Sequence, residues 1–149
     1  MSRIVLLALL TAGAALAQTH GYFLAAPGIA HSDNDTLGLV HLGVGGEYVF
    51  KNTYGAGAEI GVLGRTDLGA AGIVSVNGYY HFPRHDAWAP FVTAGYTNVF
   101  EFGGGNGMAN MGGGVNYWYK SHLGLKFEFR DHFGSNINYA EFRFGVNFK

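Results

Sequence analysis

The strongest constraint in this chain is a parity. From Gly21 onward, apolar residues alternate with the rest at a period of two, in segments broken by clusters of Gly, Asn, Asp and Pro. A period of two puts successive side chains on opposite faces of an extended strand and is incompatible with an amphipathic helix. Leu123, Leu125, Phe127 and Phe129 take one parity, and Gly124, Lys126, Glu128 and Arg130 take the other. Ala140, Phe142, Phe144, Val146 and Phe148 likewise oppose Glu141, Arg143, Gly145 and Asn147. The same division sets Leu42, Val44, Tyr48 and Phe50 against His41, Gly43, Gly45 and Glu47. It sets Ala56, Ala58, Ile60 and Val62 against Gly55, Gly57, Glu59 and Gly61, and Met111, Val115, Tyr117 and Tyr119 against Asn110, Gly112, Gly114, Asn116 and Trp118.

The pattern predicts an all-β chain of about eight strands. The expected spans are Gly21–Ile29, Leu37–Phe50, Tyr54–Leu63, Ala70–Phe82, Pro90–Phe102, Met108–Tyr119, Leu123–Phe133 and Tyr139–Phe148. The expected connections are His31–Thr36, Lys51–Thr53, Arg65–Gly69, Pro83–Ala89, Gly103–Gly107, Lys120–His122 and Gly134–Asn138, rich in residues that tolerate turn dihedrals. The first and fifth segments alternate poorly, so their faces stay unassigned.

Alternation alone leaves two barrels open. With the apolar face inside, the chain is a soluble, lipocalin-like barrel that binds a small apolar ligand. With the polar face inside, it is a closed antiparallel up-and-down transmembrane β-barrel. Three features favour the second. Charged residues make up only 13% of the chain, about half the usual ~25%. In the clear strands they share one parity, as a lipid-facing Arg or Lys would cost about 2–4 kcal/mol at mid-bilayer. The polar face is also full of glycine, which makes room in a narrow lumen for long side chains. Finally, Phe50, Tyr54, Tyr80, Phe82, Phe91, Tyr117, Tyr119 and Phe148 gather near one set of turns, as an interfacial girdle would. In hydrocarbon an open sheet edge leaves unpaired backbone groups, so the last strand must close on the first.

Several segments carry a resemblance: Gly43-Val44-Gly45-Gly46-Glu47-Tyr48, Gly57-Ala58-Glu59, Asn77-Gly78-Tyr79-Tyr80-His81-Phe82, Pro90-Phe91-Val92-Thr93-Ala94-Gly95, Gly112-Gly113-Gly114-Val115-Asn116-Tyr117-Trp118 and Glu141-Phe142-Arg143-Phe144-Gly145-Val146-Asn147-Phe148. Through them the chain resembles the small outer-membrane β-barrel proteins of the OmpA/OmpX-like class. The resemblance implies a cell outer-membrane location, outer-membrane lipid around the barrel, and the barrel assembly machinery as a partner in biogenesis. Phe148, penultimate here rather than terminal, would be the assembly signal.

Residues Met1–Ala17 read as a signal peptide: Arg3, then an apolar run from Ile4, then Ala15-Leu16-Ala17 as a small-x-small cleavage site before Gln18. Residues 18–149 then form one barrel domain. Both termini are expected on the periplasmic side. That makes His31–Thr36, Arg65–Gly69, Gly103–Gly107 and Gly134–Asn138 the outer loops, all short.

The candidate site is the charged parity itself. Glu47, Glu59, Glu128 and Glu141 face inward with Lys126, Arg130 and Arg143, and buried charges must be paired. The reading expects Arg130 and Lys126 near Glu141, and Arg143 near Glu128, as a network filling the lumen. An eight-stranded interior is just filled by side chains, so free diffusion of solutes is not expected. His132, Ser135 and Glu141 resemble the acyl-hydrolysing set of outer-membrane lipid A deacylases. Here, however, two residues separate His132 from Ser135 rather than one, and Gly134 marks a turn.

The seven histidines fall mostly in turns or at strand ends, lack metal-ligand spacing and have no cysteine beside them, so they read as solvated or interfacial. Gly103-Gly104-Gly105-Asn106-Gly107 has no following Lys-Ser/Thr and is no phosphate loop. A formal net charge of −1 gives no nucleic-acid patch. The expected molecule is a monomeric, non-enzymatic outer-membrane barrel with a structural or surface-interaction role, without catalytic residues, cofactor or metal.

Overall fold

In a computed structural model, the described residues are 17–32, 35–65, 69–101, 104–135 and 137–149; the expected signal peptide lies almost wholly outside them. Among them the chain forms eight strands: β1 (Ala17–Ser32), β2 (Asp35–Phe50), β3 (Tyr54–Arg65), β4 (Gly69–His81), β5 (Trp88–Glu101), β6 (Gly104–Lys120), β7 (Leu123–Phe133) and β8 (Asn138–Phe148). Each pairs antiparallel with its sequence neighbour, and β8 pairs with β1 to close the barrel. The closing register runs from Gly21 opposite Phe148 to His31 opposite Asn138. It lacks bridges at Ala26 and Pro27, since a proline has no N–H to give to a ladder.

One end of the barrel carries tight turns and both ends of the described chain. At Phe50–Thr53, Lys51 and Asn52 both have positive φ, 50° and 58°, and the Thr53 N–H donates to the Phe50 carbonyl at 3.0 Å. That is a type I′ turn, whose twist matches the flanking strands. Asp86 (φ 55°) turns β4 toward β5 beside a bridge between His85 and Trp88. The Lys149 N–H donates to the His122 carbonyl at 3.1 Å and ties the last residue to the β6–β7 turn. The opposite end, called here the loop end, carries the other connections.

The strands run longer at the loop end than the sequence suggests. The expected loop Gly103–Gly107 is largely strand: β6 starts at Gly104 and pairs Gly107 with Asn98. Glycine lowers strand propensity, which hides this strand in the sequence. Its role is one of space, because a Cβ at Gly107 would overlap the Tyr96 hydroxyl.

The apolar parity faces outward. Leu42, Val44, Ile60, Val62, Val74, Val76, Phe127, Phe129, Phe142 and Phe144 form an exposed belt around the middle. Phe50, Tyr54, Tyr80, Phe82, Trp88, Tyr119 and Phe148 are exposed at the turn end, with Tyr54 against Tyr80 at 5.6 Å and Tyr80 against Phe82 at 5.2 Å. Phe91 departs from the expected girdle: it is 2% exposed and points into the lumen. Its parity on β5 is that of Thr93 and Thr97, both buried, so β5 turns one aromatic inward among polar residues. This outward apolar surface also contradicts the soluble barrel, which needs the same Phe and Leu residues as its core.

Candidate functional site

The lumen is layered. At the loop end, Ala30, Leu39, Leu63, Ile73, Met108 and Tyr139 pack together as an apolar plug, with Leu37, Val99 and Ile137 against it. Below lies a polar layer in which Ser75 and Thr97 share a hydrogen bond of 2.8 Å and the Asn110 amide donates to Thr97 Oγ1 at 2.9 Å.

The central layer holds six of the seven charged residues expected there. Arg143 on β8 binds three carboxylates from three strands. Its Nη1 donates to Glu141 Oε1 at 2.5 Å, its Nη2 donates to Glu59 Oε2, and its Nε lies 3.5 Å from Glu128 Oε2. Arg130 donates through Nε to Glu128 Oε1 at 2.5 Å, and Tyr22 donates its hydroxyl to Glu59 at 2.9 Å. His41 Nδ1 meets Glu141 Oε2 at 3.2 Å, and its Nε2 lies 3.6 Å from Glu59.

The expected pairing of Arg143 with Glu128 is therefore present. Arg130 and Lys126 differ from expectation: both pair with Glu128, and Glu141 is taken by Arg143 and His41. Inward side chains converge on the barrel axis, so a charge reaches its own strand or across the lumen as readily as to its ladder neighbour. Arg130 and Glu141 are ladder partners in register, and the ladder does not decide their pairing.

Lys126 is held mainly by rings. Its Nζ sits 4.4 Å from the centroid of Tyr22, 4.7 Å from Phe91 and 5.0 Å from Tyr79, with Glu128 Oε2 at 3.6 Å. An ammonium in an aromatic enclosure is stabilised by the ring quadrupoles where water is excluded. Glu47, the seventh expected residue, lies toward the turn end and binds histidines. His20 Nε2 is 3.3 Å from Glu47 Oε2, and His81 Nε2 bonds Glu47 Oε1.

Four histidines thus differ from the solvated reading. His20, His41, His81 and His132 are buried in the lumen, while His31, His85 and His122 are exposed. The parity of His41 with Glu47 on one strand is the signal that pointed to this; Tyr22, Tyr79 and Phe91 carry no such signal. His132 stacks on Tyr139 with centroids 3.9 Å apart, whereas Ser135 sits exposed in the β7–β8 connection and Glu141 is engaged elsewhere. Among the described residues no hydrogen bond joins His132, Ser135 and Glu141, so the structure does not assemble the hydrolase set. Among those residues, too, no group of three His, Cys, Asp or Glu is arranged to hold a metal ion.

At the turn end the lumen opens into a vestibule of about 480 Å³, lined by residues that include His20, His81, Arg84, Asn116, Trp118 and Lys149. Asn147 donates to Asn116 Oδ1 at 2.7 Å beside it. Lys149 lies outside the strands, with Nζ 4.4 Å from the Trp118 ring centroid. Burial, and then the charge of Arg84, hold the Lys149 ammonium below its ordinary pKa.

No protein-family model and no curated protein matches the chain. Solved structures match its fold. Neisserial surface protein A superposes with a TM-score of 0.76 at 14% identity, over 89% of this chain and 98% of that one. The N-terminal β-barrel domain of Pseudomonas aeruginosa OprF gives 0.63 at 19%, over 89% and 99%. The outer membrane enzyme PagL gives 0.55 at 12%, over 86% and 99%. The chain therefore has the eight-stranded architecture of the small OmpA/OmpX-like transmembrane barrels. At these identities the likeness concerns the fold, which carries both a surface protein and an enzyme.

Proposed function

We propose that this chain is exported, loses Met1–Ala17, and sits as a monomer in a Gram-negative outer membrane, where it serves as a closed, non-enzymatic barrel with a structural or surface-interaction role. The observation that carries this reading is the division of faces: Phe, Val, Leu and Ile outward around the whole belt, and paired charges inward under an apolar plug. An exterior of that kind is soluble only in lipid or detergent. An interior filled by the plug and by the Arg143 cluster supports a closed lumen. Phe148 lies on the outer face with its ring 5.5 Å from Phe23, which leaves it accessible to assembly machinery recognising a C-terminal aromatic. The short connections at the loop end would face the cell exterior.

Cell fractionation, a heat-modifiability gel and planar-bilayer recording test the reading together. The expected result is protein in the outer-membrane pellet, an unheated band that migrates differently from the boiled one, and no steady conductance. Recovery in the soluble periplasm would overturn the membrane reading. A stable open channel would overturn the closed lumen.

A further inference from the structure

We propose that the turn-end vestibule is a binding site for a small phosphate-bearing anion. The lining contains an arginine, a lysine, two histidines and two asparagines, and no Asp or Glu. The lining acid group is the terminal carboxylate of Lys149 itself, and the Glu47 side chain beneath the vestibule is already bound by His20 and His81, so its charge is largely answered before a ligand arrives.

The donors differ in kind and in depth. Asn116 is 1% exposed at the vestibule floor, and its oxygen is occupied by Asn147, so the amide N–H₂ is what it offers. Among the described contacts of Arg84, one guanidinium nitrogen reaches the Asp86 carbonyl at 3.4 Å, which leaves most of its five donors for another partner. Lys149 brings a second cation over the Trp118 face. Two cations converging on one cavity repel, and the depressed pKa of Lys149 records part of that repulsion. An anion between them removes it. A volume near 480 Å³ suits a small molecule and exceeds what a single ion needs. Guanidinium, ammonium and amide donors around one anion give charge-assisted hydrogen bonds, the arrangement that phosphate groups favour. The proposal is independent of which side of the membrane the turn end occupies.

The chain has two tryptophans, Trp88 on the outer face and Trp118 in the vestibule. A Trp88→Phe variant therefore reports on the site through Trp118 alone. In detergent, titration with inorganic phosphate should give a saturable change in Trp118 emission that sodium chloride at equal ionic strength does not give. The double variant Arg84→Gln, Lys149→Gln should weaken that response by about tenfold or more, since both charged donors are gone. Both residues lie outside the strands, and the heat-modifiability gel verifies separately that the variant is folded. Reconstitution into phosphatidylglycerol or phosphatidylcholine vesicles identifies the source of the phosphate. A site already saturated in phosphatidylglycerol alone takes a lipid headgroup, whereas an equal response to added phosphate in both vesicles indicates a soluble ligand. The same response to chloride, or an unchanged response in the folded double variant, would overturn the proposal.

Discussion

Arg143 on β8 binds Glu59 on β3 across the lumen, although the two strands share no ladder and stand apart by β1 and β2. The bond therefore spans the barrel rather than reinforcing one edge of it. Arg143 also holds Glu141 and Glu128, so one guanidinium contacts three buried carboxylates, with Arg130 and Lys126 sharing Glu128. Removing it leaves charge without compensation in a site closed to water. Arg143→Gln should cost about 3–5 kcal/mol, measured by urea unfolding in detergent micelles. Changing Glu59 and Arg143 together to Gln should cost less than the sum of the two single changes, because no unpaired charge remains at that contact. Additive costs would show that the cross-lumen bond carries no coupling.

A second prediction concerns room for the Lys126 enclosure. A Cβ at Gly45 would meet the Tyr22 Cζ and hydroxyl at 2.5 Å. Tyr22 supplies both a hydrogen bond to Glu59 and one wall around Lys126. Gly45→Ala should therefore displace the ring and destabilise the barrel by about 1–3 kcal/mol. Gly64→Ala is the control, since its nearest neighbour to a built Cβ is the Val40 carbonyl at 3.6 Å. Equal midpoints for the two variants in urea unfolding would contradict this account.

Much of this architecture is legible in the sequence wherever charge and parity agree. Glu47, Glu59, Lys126, Glu128, Arg130, Glu141 and Arg143 mark the inner face of four strands, and the bounds of β7 match those read from its alternation. Where the inner face is aromatic or small, parity is silent. Phe91 resembles a girdle residue on composition alone, and β1 presents Leu24, Ala26 and Ala30 inward around Pro27, which pairs with β2 but not with β8. Arg130 bonds Glu128 on its own strand while its ladder partner Glu141 is taken by Arg143 and His41, a choice that depends on which charges meet at the barrel axis after closure. The vestibule draws on β1, β2, β4, β5, β6, two turns and the last residue, so only closure brings its donors together.

The β2–β3 turn offers a stabilising change. A type I′ turn needs positive φ at both central positions, and Lys51 meets that requirement at 50° without being suited to it. Asn-Gly is the sequence the geometry favours. Replacing Lys51 with Asn and Asn52 with Gly together should raise stability by about 0.5–1 kcal/mol, read as a higher urea midpoint with an unchanged slope. A lower midpoint would mean that the Lys51 side chain contributes more than its backbone strain costs.

The last prediction uses the bilayer as the probe. Phe144 faces outward in the middle of β8, against Phe127 with centroids 6.0 Å apart, whereas Phe50 ends β2 at the turn-end aromatic band. If the belt lies in hydrocarbon, the cost of a charge there must follow depth. Phe144→Arg should destabilise the protein by about 2–4 kcal/mol in phospholipid vesicles, and Phe50→Arg by about 0–1 kcal/mol, because an arginine near the interface reaches water and headgroups. In detergent micelles, whose surface deforms around a charge, the difference should shrink. A soluble barrel would place both residues against water or core without regard to depth. Equal costs for the two variants in vesicles would therefore reject a membrane-spanning belt, while a gradient that appears in vesicles and fades in micelles would fix the hydrocarbon midplane near Phe144.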